Sequence, residues 1–168
     1  EVKANAGFTR TIEWMVRIDT PQGIEQSGQA KLYFNGKRAT QKIVEAYTIR
    51  PNGDKIAASA DRIKVRNSEA DDLAPYFSDQ MMTIIIFPQV EVGSKLYYKS
   101  VTVQNEPVLK GHFSSSMYFT PHRRYENTRV RLTHPAELPV QSYARDITGS
   151  RNTLPDGRVE YVYEFKQD

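Results

Sequence analysis

The sequence predicts an all-β domain, an antiparallel two-sheet β-sandwich of about ten strands with at most one short helix. Three observations lead there. Side chains alternate between apolar and polar with a period of two along most of the chain, which sends one set to a buried face and the other to solvent. Turn signals recur every eight to twelve residues or so, the spacing of short antiparallel strands. Aromatic residues make up 11 % of the chain, ten of them tyrosine and seven phenylalanine, a bias towards pleated surfaces. Helical periodicity is almost absent.

The first strand runs from Phe8 to Asp19, with Phe8, Ile12, Trp14, Val16 and Ile18 on its apolar face and Arg10 as the intruder. Pro21 and Gly23 then give a turn. A second strand, from about Gln26 to Phe34, points Ala30, Leu32 and Phe34 inward, and Asn35-Gly36 is a type I′ hairpin signal. Its expected partner is Thr40 to Arg50, with Ile43, Tyr47 and Ile49 on one side. Pro51 and Gly53 close it, and short strands follow at Ile56 and at Ile63 to Val65.

Residues 67–79 are polar and acidic and read as a surface loop, with one helical turn expected near Glu69 to Leu73. "MMTIIIF" is apolar on both faces, as a strand covered on both sides would be, and Pro88 ends it. From Leu96 to Val103, Tyr97, Lys99, Val101 and Val103 oppose Leu96, Tyr98, Ser100 and Thr102. Later strands are expected at His112 to Phe119, Arg123 to Thr133, Gln141 to Ala144 and Val159 to Phe165. Asp156-Gly157 is a second hairpin signal. No repeat, linker or low-complexity segment divides the chain, so one domain spanning 1–168 is the simplest account.

A chain of 168 residues buries enough surface to fold without a staple. Lys and Arg total 23 against 20 Asp and Glu, an excess too small and too spread out for a dedicated nucleic-acid binder, so no nucleic-acid partner is expected. There is no cysteine, which removes disulfides, thiolate nucleophiles and thiolate metal ligands together. No apolar run approaches the ~20 residues of a membrane-spanning helix.

The search for chemistry finds few candidates. Serine is the main possible nucleophile; Ser114 to Ser116 have His112 nearby, but no G-x-S-x-G elbow exists, and small polar residues on a solvent face explain them more simply. His112, His122 and His134 have no metal-ligand spacing. Asp71, Asp72 and Asp79 are acidic but fail the EF-hand loop pattern. No catalytic residue, metal or cofactor is assigned.

As ligand-binding candidates there remain Trp14, Tyr97 and Tyr98, which could stack on a sugar, and an arginine face. On a regular strand Arg129 and Arg131 share that face with Tyr125, where they could meet phosphate, sulfate or an acidic surface. The simpler rivals are core burial for Trp14 and a solvated face for the arginines.

"AYTIRPNGDKI", "APYFSDQMMTIIIFPQVEVGSKLYY", "EPVLKGHF" and "VRLTHPAELPV" together resemble the DUF3857 family, a bacterial domain of unknown function that precedes transglutaminase-like modules. The resemblance covers about Thr9 to Phe165. It implies a β-sandwich that is an N-terminal module of a longer, periplasmic or secreted protein, with the Cys-His-Asp machinery in the module that follows. The function expected is then a non-catalytic accessory or interaction domain that orients the downstream transglutaminase-like, cysteine peptidase-type module or its substrate. Its partners would be that module and a glycan or peptide ligand. The alternative is a carbohydrate-binding β-sandwich module.

Overall fold

The computed structural model of the protein describes residues 1–68, 79–120 and 123–167. The described elements, in chain order, are β1 (Phe8–Arg17), α1 (Pro21–Ser27), β2 (Gln29–Asn35), β3 (Ala39–Ile49), β4 (Lys55–Ala57), a 3₁₀ turn (Ala60–Arg62), β5 (Ile63–Asn67), β6 (Gln80–Ile86), β7 (Lys95–Gln104), β8 (Tyr125–His134), β9 (Thr148–Thr153) and β10 (Val159–Gln167). The chain is all-β. Its strands form three sheets rather than the two expected, ordered β1-β7-β3-β4, β2-β6-β5 and β8-β10-β9. Contacts group them into two compact units, one of Arg10–Val103 and one of Glu1–Thr9 with Gln104–Asp168.

In the Arg10–Val103 unit the first two sheets share one core, built from Ile18, Leu32, Ala46, Ile85, Phe87, Leu96 and Tyr98. The predicted alternation of β1 holds: Ile12, Trp14 and Val16 pack against this core, while Glu13, Met15 and Arg17 are exposed. On β7, Leu96, Tyr98, Ser100 and Thr102 are buried, as period-two spacing requires. β6 is the central strand of its sheet, antiparallel to β2 and β5. Its Met82, Thr83, Ile84 and Ile85 are buried on both faces, which is why "MMTIIIF" carries no polar alternation.

Two expectations fail here for identifiable reasons. Asn35-Gly36 closes no hairpin, because β2 pairs with β6 and β3 belongs to the other sheet. Asn35 Oδ1 instead accepts from the amides of Lys37 (3.1 Å) and Arg38 (3.0 Å), an Asx turn that carries the chain between layers. Along β3 the buried set changes parity: Ala39 is buried and Ile43 packs on the core, then Ala46 and Thr48 are buried. An odd step between Ile43 and Ala46 turns Tyr47 away from the side of Ile43, which alternation had it share.

The expected turn at Pro21 and Gly23 is the start of α1. Thr20 caps it, its Oγ1 accepting from the Gly23 amide at 3.1 Å, with Pro21 in the first turn. With 7 residues the helix is too short to show periodicity, and only Ile24 reaches the core. The helical turn expected at Glu69 to Leu73 lies outside the described residues.

In the second unit β10 pairs on one side with β8 and on the other with β9, both antiparallel. Asp156-Gly157 joins β9 to β10 as the hairpin signal predicted, with Gly157 at φ 83°. The strand it joins is Thr148–Thr153 rather than Gln141 to Ala144. The latter stretch is irregular, and two tyrosines of β10 hold its neighbourhood: Tyr161 Oη donates to the Val140 carbonyl (3.2 Å) and Tyr163 Oη bonds Ser142 Oγ (2.8 Å). His112 to Phe119, expected to be a strand, has no strand partner.

Gly149 lies opposite Tyr163, and a Cβ there would fall 2.3 Å from Tyr163 Cε1. Gly149→Val therefore pushes the ring away from Ser142. We expect a loss of about 1–3 kcal/mol in chemical unfolding, larger than that of Tyr163→Phe, which removes only the hydroxyl; equal losses would contradict this account.

Candidate functional site

Consecutive positions on a strand face opposite ways, so Tyr97 and Tyr98 cannot share a binding platform. Tyr98 is 9 % exposed and stacks on half-buried Trp14 at 5.4 Å between ring centroids and 30° between planes. Burial holds its phenol above the ordinary tyrosine pKa, partly opposed by Arg10. Both rings serve the core of the Arg10–Val103 unit.

Tyr97 lies on the other face of β7 and stacks on Tyr47 of β3 at 4.7 Å and 23°. Lys55 Nζ sits 3.7 Å over the Tyr47 ring and pairs with Glu45 at 2.8 Å, while Lys99 pairs with Glu13 at 2.6 Å. Desolvation first, then Glu13, Tyr47 and Glu45, raise the Tyr97 pKa. Tyr47 is thus covered by a ring on one side and has a cation over its face. Stacking on a sugar requires an open ring face, and these contacts compete for it.

The arginine face of β8 is likewise occupied by partners on β10. Arg131 reaches Glu160 Oε1 through Nη2 (2.7 Å) and Nε (3.1 Å), and Arg129 Nε lies 3.6 Å from Glu164 Oε1. Tyr125 does not join them. The register slips between Phe165 and Gln167, leaving one extra residue on β8 and reversing the facing of what precedes it. Tyr125 therefore packs against Phe165 (5.4 Å) and Phe119 (5.3 Å) on the opposite side of the sheet. Sequence alternation alone could not reveal that bulge.

The polar candidates do not converge. Ser114 to Ser116 and His112 are exposed in an irregular segment, so no strand face aligns them. His134 is 3 % exposed, stacks on Tyr161 at 5.8 Å, and has Nδ1 2.7 Å from the Pro135 carbonyl. A carbonyl can only accept, so Nδ1 carries the proton; Nε2 is buried without a partner. His122, Asp71 and Asp72 lie outside the described residues. Among the described residues no three His, Asp or Glu side chains group as a metal site. Asp79 pairs with Lys37 (2.7 Å) beside a cavity of about 280 Å³, lined also by Phe34, Gly36, Asn67 and Met81. None of the described helices is long and apolar enough to cross a membrane.

Sequence reasoning missed a set of exposed apolar side chains in the second unit: Leu109 (66 % exposed), Met117 (57 %), Tyr118 (86 %) and Tyr143 (88 %). Alternation places Met117 on one face with Phe113 and Phe119, which are half-buried where Met117 is exposed. Gly111 and Pro121 bound the segment as they would bound a paired strand, so no sequence signal marked it as unpaired.

The profile of the DUF3857 family, a domain of unknown function with solved structures, matches residues 4–167. The chain belongs to this family. Its fold also matches the crystal structure of a provisionally assigned protease from Parabacteroides distasonis, with a TM-score of 0.79 and 14 % identity. The match takes in 98 % of this chain and 33 % of that one, so the chain spans about a third of its structural relative. At that identity the likeness is one of fold. No curated protein matches the chain.

Arg131 and Arg129 separate two kinds of ion pair. Glu160 is 8 % exposed, so Arg131→Met leaves a buried carboxylate without its cation; because the Arg131 side chain is itself 61 % exposed, water offsets part of the loss. We expect about 1–2 kcal/mol of destabilisation for Arg131→Met and less than about 0.5 kcal/mol for Arg129→Met, read by urea unfolding.

Proposed function

We propose that this chain is a non-catalytic accessory domain, a contact module for a transglutaminase-like, cysteine peptidase-type module in the same exported polypeptide. The observation that carries the proposal is the exposed apolar set Leu109, Met117, Tyr118 and Tyr143, all in irregular segments of one compact unit. Side chains of this kind are favourable to bury against a neighbour and unrewarding to leave in water. The family membership supports the same reading, as does a structural relative of which this fold makes up 33 %.

Glycan binding has less support. Trp14 and Tyr98 stack on each other within a core, and Tyr97 and Tyr47 stack on each other beneath Lys55.

The test is a direct one. Residues 1–168 incubated with peptide and amide substrates should release no product, and Trp14 fluorescence should stay flat as cell-wall and plant glycans are titrated in. Turnover that disappears when a single serine or carboxylate is replaced would overturn the accessory role. A saturable fluorescence change would restore the glycan reading.

A further inference from the structure

The segment from Phe113 to Phe119 is written as a strand and is not folded as one. In sequence, Phe113, Ser115, Met117 and Phe119 alternate with Ser114, Ser116 and Tyr118, a period-two pattern with aromatic residues at both ends. In the structure residues 112–120 have no regular secondary structure. Residues 113–119 make no backbone hydrogen bond to any described residue. No described group pairs with their amides and carbonyls, whereas those of β8, β9 and β10 pair along their ladders.

The two ends are nevertheless fixed. Phe113 packs edge-on against Phe8 at 6.0 Å, and Phe119 stacks on Phe165 at 4.6 Å. The Thr120 amide donates to Tyr125 Oη at 3.1 Å. Between these anchors Ser114 to Tyr118 are exposed, Met117 at 57 % and Tyr118 at 86 %. Fixing the ends lowers the entropy that must be lost when the middle is ordered, which favours a segment that receives a partner strand.

We propose that residues 113–119 are a strand-addition site, whose free backbone groups pair with an edge strand of the module that follows in the same polypeptide. Main-chain pairing supplies the affinity. Met117 and Tyr118, on alternate faces of the new strand, supply the side-chain contacts. The proposal deepens the accessory-domain reading and rests on it. The occupant is taken from the same polypeptide because the matched fold is 33 % of its structural relative, which leaves most of that chain available as a neighbour.

Hydrogen exchange followed by mass spectrometry, on the full-length protein and on residues 1–168 alone, tests this. The amides of 113–119 should exchange near the unprotected rate in the isolated chain and roughly 100-fold or more slowly in the full-length protein. Ser115→Pro, which removes a donor and fixes φ, should return the neighbouring amides of the full-length protein to fast exchange while the β-sheet amides stay protected. Fast exchange in both proteins overturns the proposal. So does protection that rises with concentration in the isolated chain, since that would mean pairing between copies. Catalysis by residues 1–168 would defeat the accessory reading whatever these amides do. Unprotected amides in a full-length protein whose activity still requires this domain would defeat the strand-addition site alone.

Discussion

The fold of the Arg10–Val103 unit depends on two sheets closing on one dry layer in which Leu96 and Ile85 are 0 % exposed and Ile18 is 1 % exposed. These residues come from β7, from β6 and from the chain just past β1, which are distant in sequence. Until they meet, neither sheet has anywhere to bury its apolar face. Deleting even one such side chain leaves a cavity that close packing cannot collapse, with losses of about 2–5 kcal/mol. The stretch "IIIFPQVEVGSKLYY" supplies much of that layer through Ile85, Phe87, Leu96 and Tyr98. Tyr98 belongs to the same layer and Trp14 packs against it, the two rings stacked on each other.

The two charged faces follow a common rule. On the β1-β7-β3-β4 sheet, Lys99 meets Glu13 and Lys55 meets Glu45; on the β8-β10-β9 sheet, Arg131 meets Glu160 and Arg129 meets Glu164. Cross-strand pairing of opposite charges organises a solvated face and spends its cations locally. A surface built this way has little field left to recruit an anion, in keeping with the near balance of 23 basic and 20 acidic residues. What the second unit leaves unspent is apolar area and backbone, at Met117, Tyr118 and the residues around them.

Much of the fold was legible because period-two burial is a local property. β1, β7, β8 and β10 follow directly from which side chains alternate, and β6 from an apolar run covered on both faces. The two-sheet sandwich was not, because strand partners are non-local: Asn35-Gly36 has the chemistry of a hairpin turn, yet β2 reaches across to β6. Parity errors came from single extra residues. One step between Ile43 and Ala46 reversed Tyr47, and one bulge near Phe165 reversed Tyr125, and neither leaves a mark in composition. Helix α1 was hidden by its brevity, although Thr20 and Pro21 are the cap and first-turn residues a helix start requires. Of the candidate site, the sequence brought forward aromatic and arginine residues that the structure pairs internally. The exposed set escaped notice because alternation cannot distinguish a strand with a partner from one without.

In the proposed accessory role this domain acts through contact and leaves the chemistry to its neighbour. A crystal structure of the full-length protein with a bound substrate analogue tests it most directly. The account predicts Met117 and Tyr118 covered by the neighbouring module, the Tyr47–Tyr97 stack intact, and the analogue's reacting atoms held by side chains outside residues 1–168. Met117 and Tyr118 left in solvent, with the analogue's reacting bond against a serine, histidine or carboxylate of this chain, would contradict it.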